Sequence, residues 1–319
     1  MLRSLLCAAA LAAAPPALAG AFAPGGNAGA LARGFALPSL GDGPVLRAGE
    51  RQTRITFDVA NEYVSEGDCS VECILLDGET RRLRIDYRAG LGRGWDFSLQ
   101  TTGLQRGGGA LDGWIQDWHG WFGLPNGGRE FAEDDQYRYR YERAGAVLLD
   151  ESVGDRGLGD VTVGLGMALG DGSALRTQLK LPTGDGAALS GGGVGGATWI
   201  ELGAPDGGWD AFMAAGYSRN ERGDVLPSLQ NEEVWFGGIG LLAPVTDRVR
   251  LLLQVNAHTR LYDGSELTPL QRPGAPLTVG LQFQTGSDGV FEIGFQEDPS
   301  VNASPDFVFY ISLASLPKR

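Results

Sequence analysis

From Arg82 to Leu91 the chain alternates without a break. Leu83, Ile85, Tyr87, Ala89 and Leu91 are interleaved with Arg82, Arg84, Asp86, Arg88 and Gly90. Successive side chains of a strand point to opposite faces, whereas a helix would spread this pattern around its axis, so one apolar and one charged face require a strand. The same period recurs in Ile55-Phe57-Val59 and Trp95-Phe97-Leu99, then over 161–169 and 175–181. It returns over 249–255, 277–283, 291–295 and 307–313, and three less regular runs lie near 197–203, 209–218 and 233–243.

The connections sort into two kinds. Tight turns rich in Gly, Pro and Asp fall at 92–94, 170–172, 205–208, 244–247 and 286–289. Between them lie long connections near 61–80, 104–157, 183–196, 219–232, 260–274 and 297–305. Short and long alternate along the chain, as in transmembrane barrels with short periplasmic turns and longer extracellular loops. The fold class expected is therefore all-β: a closed antiparallel transmembrane β-barrel of about twelve strands, with both termini periplasmic. Tyr137 to Tyr141 also alternate, and parity places them above the membrane or inside the lumen rather than in the wall.

Residues 1–19 have a short basic start and an Ala/Leu run ending at Ala17-Leu18-Ala19, which fits a secretory signal peptide. The expected organisation is a 1–19 signal peptide, a flexible periplasmic segment over 20–50 and a barrel over 51–319, reached by Sec-type export to the cell outer membrane. Gly is abundant, at 51 residues, and the mean hydropathy of −0.10 suits a chain whose lipid-facing and lumen-facing residues alternate. A net charge of −13 argues against nucleic acid as a partner. Cys69 and Cys73 are expected to form a local disulfide in an oxidising compartment, and no metal site is assigned. The chain lacks a terminal aromatic residue, which shifts the expected assembly signal to 307–313.

Within the longest loop, Trp114, Ile115, Trp118, Trp121 and Phe122 fall at helical spacing between the N-cap candidate Asp112 and the breakers Gly123 and Pro125. This predicts a short amphipathic helix near 112–122. Together with His119, its aromatic face is the candidate ligand site, as a lid or plug; the alternative is an aromatic wedge that packs the barrel mouth or rests on the membrane interface. The residues around it, Leu111-Asp112-Gly113, Trp118-His119, Phe122-Gly123-Leu124-Pro125 and Gly128-Arg129, resemble the central motif of a proteobacterial family, domain of unknown function 3187. Gly157-Leu158-Gly159-Asp160 and Leu179 to Asp185 extend the resemblance. It implies an outer-membrane barrel and assigns no activity.

The inward-phase charges include Arg82, Arg84, Asp86, Arg88, Asp96, Arg176, Lys180, Arg250 and Glu292. Their mixed signs fit either a wet channel or an internally paired, closed barrel. No catalytic residue and no cofactor is assigned, because a hydrolase would need a serine brought to His119 or His258. The function expected is a channel or transporter for small solutes, hydrophobic ones among them, with 111–125 as lid or plug. The alternative is a closed structural or surface-interaction barrel. The partners expected are outer-membrane lipid, lipopolysaccharide and a small solute of unknown identity.

Overall fold

The protein is described by a computed structural model covering Phe22 and residues 26–123, 128–170, 172–185, 192–206, 208–286, 289–299 and 303–317. The signal peptide expected over 1–19 lies outside the described residues.

The chain forms a closed antiparallel barrel of twelve wall strands. In chain order these are β1 (Arg51–Asp68), β2 (Glu72–Gly92), β3 (Trp95–Gly107), β7 (Val161–Gly170), β8 (Ser173–Leu181) and β9 (Gly195–Asp206). They continue with β10 (Trp209–Asn220), β11 (Glu233–Pro244), β12 (Val249–His258), β13 (Leu277–Thr285), β14 (Gly289–Glu297) and β15 (Phe307–Ser315). Each wall strand pairs with its neighbour in sequence, and β1 closes the ring on β15 in the register Phe57↔Ile311. Closure is obligatory for a sheet in hydrocarbon, because an open edge would leave N–H and C=O groups without partners.

Alternation is converted into two surfaces. Ile55, Phe57, Ile85, Leu165, Ile200, Ile239, Leu253 and Ile311 point outward and stay exposed, with no protein to cover them. Aromatic residues rim this belt: Trp95 and Trp209 near the short turns, Tyr217 and Trp235 towards the long loops, the last two with ring centroids 5.1 Å apart. The eight residue-to-residue steps from Trp209 to Tyr217, at about 3.3 Å per step and a tilt of about 40°, rise roughly 20 Å, close to the height of an outer-membrane apolar band.

Beyond the belt the sheet grows on one side. Where a long loop near 61–80 was expected, β1 and β2 run on as a paired hairpin to Asp68↔Glu72, turning at Cys69, Ser70 and Val71. Cys69 and Cys73 are disulfide-bonded across that turn. β4 (Arg138–Arg143) and β5 (Ala146–Glu151) form a second hairpin, added to the outer part of β2, while the three-residue β6 (Arg156–Leu158) pairs with β3. Tyr139 and Tyr141 therefore belong to a hairpin above the wall, and the count of wall strands is unchanged. Their rings are buried with Ile74, Leu76, Leu226, Leu229, Tyr262 and Leu270 in an apolar cap over the outer mouth.

Ile311 sits mid-belt between Phe57 and Ile293. Ile311→Arg is expected to destabilise the barrel by about 2–4 kcal/mol in phospholipid vesicles, measured by denaturant titration. A cost below that of an exposed soluble-protein substitution would place this face in water instead.

Candidate functional site: the plugged lumen and the aromatic helix

The described residues of the 20–50 segment, expected to be flexible and periplasmic, are instead largely held inside the barrel. Phe22 and the segment from Asn27 to Leu46 lie inside the barrel as an irregular hairpin, with Phe22 N donating to Gly41 O at 2.8 Å. It makes almost no backbone pairs with the wall, so side chains of the inner face serve its polar groups. Ala30 N donates to Glu62 at 2.9 Å, Ala36 N to Asn220 at 2.7 Å, and Leu46 N to Asp96 at 3.1 Å. Gly41 N and Gly43 N donate to the two oxygens of Glu201 at 3.0 and 3.1 Å. In the other sense Arg88 donates to Asp42 O at 2.6 Å and Pro44 O at 3.0 Å, Arg176 to Gly43 O at 2.6 Å, and Arg54 to Phe22 O.

Two local features let the segment fit. Gly41 has φ +84° and lies so close to Phe22 and Phe212 that a Cβ would stand 2.7 Å from each. At the exit, a Cβ on Gly90 would stand 1.8 Å from Arg47 O, so only glycine lets the segment leave along β2. There Gly49 N and Gly90 N exchange bonds with Gly90 O and Glu50 O at 3.2 and 2.9 Å.

The lumen has two unlike sides. Towards β9–β12, Phe22 and Leu40 pack on inward-facing Trp199, Phe212, Phe236, Leu242 and Leu252. Phe22 and Phe212 meet edge to face with centroids 4.6 Å apart. Towards β1–β3, β7 and β8 the face is polar and paired. Arg82 meets Asp58 at 2.5 Å, Arg84 meets Asp86 at 3.3 Å, and Lys180 meets Asp160 at 2.6 Å. Near the short-turn rim, Asp96 accepts from Arg88 at 2.5 Å and from Arg176 at 3.4 Å. On the opposite wall Arg250 meets Asp210 at 2.6 Å, and Glu292 accepts from Gln282 at 2.6 Å. His258 is a clip: its Nε2 receives the Asn27 side-chain N–H at 2.9 Å and its Nδ1 donates to Thr259 O at 2.8 Å.

The aromatic helix is present as α1 (Asp112–Phe122), stopped by Gly123 at φ +67°. Its position corrects the lid-or-plug expectation. Trp118 packs on Phe295 and Phe307, with centroids 5.3 and 6.0 Å away, and Trp114 on Phe307 at 4.9 Å. In the β14 and β15 alternation both phenylalanines face outward, away from the buried Gln296 and Val308, so α1 lies against the outside of the wall. Trp118 Nε1 also donates to the outward Glu297 at 3.0 Å.

Ile115 and His119 are buried, while Trp121 is 71% exposed; the side chain of Phe122 lies outside the described residues. A buried clamp fixes the loop. Asp112 accepts from Asn61 at 2.9 Å, Arg129 bridges Asp112 and Asp306 at 2.6 Å each, and Asp306 accepts from Tyr63 N at 3.0 Å. Burial raises the pKa of Asp306 and the Arg129 charge opposes that rise.

Sequence reasoning missed Glu201, Glu62 and Asn220 as tethers and the apolar inner face of β9–β12. The signal was present in the three less regular runs. Ala197, Trp199 and Glu201 alternate with Thr198, Ile200 and Leu202, and both faces there are partly apolar because one meets lipid and the other meets the plug.

Arg129→Met leaves Asp112 and Asp306 buried without their shared cation, which is strongly destabilising locally. The expected result is cleavage by added protease within 108–135 while the unheated barrel still migrates as a folded species on gels. Resistance equal to the parent protein would show that the clamp does not hold the loop.

Similarity to known proteins agrees with this architecture. The COG4313 outer membrane channel from Pseudomonas putida F1 superposes with a TM-score of 0.53 at 13% identity, covering 86% of this chain and 98% of that one. A Pseudomonas aeruginosa FadL homologue gives a TM-score of 0.40 at 8% identity, covering 84% and 90%. The TodX deltaS2S3 mutant monoaromatic hydrocarbon channel gives 0.41 at 10%, covering 85% and 91%. None of the curated proteins matches the sequence. The first of these likenesses establishes the fold, that of an outer-membrane barrel. The family model for proteins of unknown function DUF3187 matches residues 3–315, and the chain belongs to that family.

Proposed function

We propose that the protein is an outer-membrane channel for small solutes, gated by its own N-terminal segment. The observation that carries this reading is how the segment is held. Over 26–46 it is bound by side chains of the inner wall and by apolar contact, not by the backbone ladder. It can therefore move without breaking any strand pairing of the barrel. A structural core element would be expected to pair with the sheet it supports.

The two sides of the lumen divide the work. The apolar side towards β9–β12 seats Phe22 and Leu40, and the polar side towards β1–β3, β7 and β8 offers a water-compatible surface. Above them the cap of β4–β5, the 221–232 loop and the 259–276 loop buries Leu31 and Phe35 of the same segment. Opening thus requires the tip to leave the cap and the two wall contacts to release together. The exposed Trp121 and Phe131 on the outer surface suit contact with lipid and lipopolysaccharide at the interface, not solute binding.

The apolar seat favours a second reading, a permanently closed structural barrel. Planar-bilayer recording separates the two. The intact protein is expected to be mostly closed, and a variant lacking residues 22–46 is expected to show steady conductance. Glu201→Ala removes the acceptor of both Gly41 N and Gly43 N and should give brief openings of intermediate frequency. A truncated variant that folds but neither conducts nor lets sugars swell proteoliposomes would establish the closed barrel.

A further inference from the structure

The plug does not fill the lumen evenly. Between it and the inner faces of β1–β3, β7 and β8 remains a cavity of about 140 Å³. Its charged lining comprises Arg33, Arg82, Arg84 and Lys180 against only Asp58 and Asp160. Both carboxylates are already engaged, Asp58 by Arg82 at 2.5 Å and Asp160 by Lys180 at 2.6 Å. Arg84 reaches Asp86, at 3.3 Å. In a chain of net charge −13, this pocket is locally cationic.

Arg33 is the residue that needs an explanation. It is contributed by the plug and gives one N–H to Ala28 O at 3.3 Å. Among the described residues it forms no ion pair, and its Nε and Nη1 have no hydrogen-bond partner. Arg82 and Arg106 act on it as like charges. The carboxylate that acts on it, Glu62, is occupied by Ala30 N at 2.9 Å and Tyr139 Oη at 2.9 Å. Burial, with Arg82, lowers its pKa to about 10, which still leaves it cationic at neutral pH. A guanidinium with two buried N–H-bearing nitrogens that lack acceptors, and with its acting carboxylate beyond ion-pair distance, is costly, and an anion in the adjoining space relieves that cost.

We propose that this cavity is a subsite for small organic carboxylates, with the carboxylate on Arg33 and the apolar part of the ligand against Phe35, Leu37 and Leu104. A guanidinium presents a planar fork that matches a carboxylate. The three apolar neighbours line the same cavity and distinguish an organic acid from a bare inorganic anion. Because Arg33 and two of those neighbours belong to the plug, the ligand would bridge plug and wall. The inference deepens the channel reading and rests on it only in treating the bound anion as cargo.

The test is calorimetry on the full chain in detergent at neutral pH, with sodium benzoate as probe and benzamide as its uncharged counterpart. Benzoate is expected to bind saturably and benzamide at least tenfold more weakly. Arg33→Met should weaken benzoate at least tenfold, whereas Arg219→Gln, on the exposed rim, should not. Equal binding of both probes, no saturable heat with benzoate, or displacement of benzoate by equimolar phosphate would each overturn the assignment. The benzoate–benzamide contrast decides the matter on the parent protein even where Arg33→Met does not fold. Benzoate binding without any flux in the truncated barrel would refute the channel and leave the subsite. Flux without benzoate binding would do the reverse.

Discussion

A peptide group in hydrocarbon has no water to bond, and everything else in this protein follows from satisfying that demand. The wall meets it by ring closure, with β1 returning to β15 over the register Arg54↔Ala314 to Asn61↔Phe307. The plug faces the same demand in a narrow lumen without a free sheet edge. Its N–H groups go to Glu62, Asn220, Glu201 and Asp96, and its carbonyls to Arg54, Gln178, Arg88 and Arg176. Much of the charge on the inner wall is thus explained by the plug's backbone. Asp96 serves both purposes, accepting from Leu46 N while pairing with Arg88 and Arg176.

The division of the lumen has the same origin. Where the plug presents Phe22 and Leu40, the wall answers with aromatic and aliphatic residues and water has no place. Where it presents Arg33 and backbone, the wall is polar and a cavity is left. The clamp of Asp112, Arg129 and Asp306 works on the other surface, tying a loop of the β3–β7 connection to the outer ends of β1 and β15. Two separate polar networks, one inside and one outside, therefore bracket the same part of the sheet.

The strands were legible because lipid on one face and a polar lumen on the other impose a period of two on residues such as Arg82 to Leu91. Legibility failed where that contrast vanished. Above the belt, 61–80 meets protein or water on both faces, so Ile74, Leu75 and Leu76 run together without alternating and the strand resembles a loop in sequence. Helical spacing of Trp114, Ile115 and Trp118 identified α1, but an aromatic face fits the outside of a barrel as well as its mouth. Only the positions of Phe295 and Phe307 decide between them. The plug was hidden because its order is supplied by others: a Gly-, Ala- and Pro-rich stretch carries no period, and its imprint falls on Trp199, Phe212 and Phe236.

The exit of the segment beside β2 has a kinetic meaning. Glu50 and Gly49 are paired with Gly90, and β1 begins at Arg51, so a plug released as proposed would remain leashed at the short-turn rim. Its return is intramolecular, and short flexible leashes give effective concentrations in the millimolar range. At such a concentration a contact set worth only about 4 kcal/mol, equivalent to a millimolar affinity, would hold a releasable segment in its seat about half the time, and each further ~1.4 kcal/mol would raise that ratio tenfold. In the proposed channel, small changes in a handful of hydrogen bonds would translate directly into occupancy of the seat, and a solute would need to compete with only a fraction of the plug's contacts.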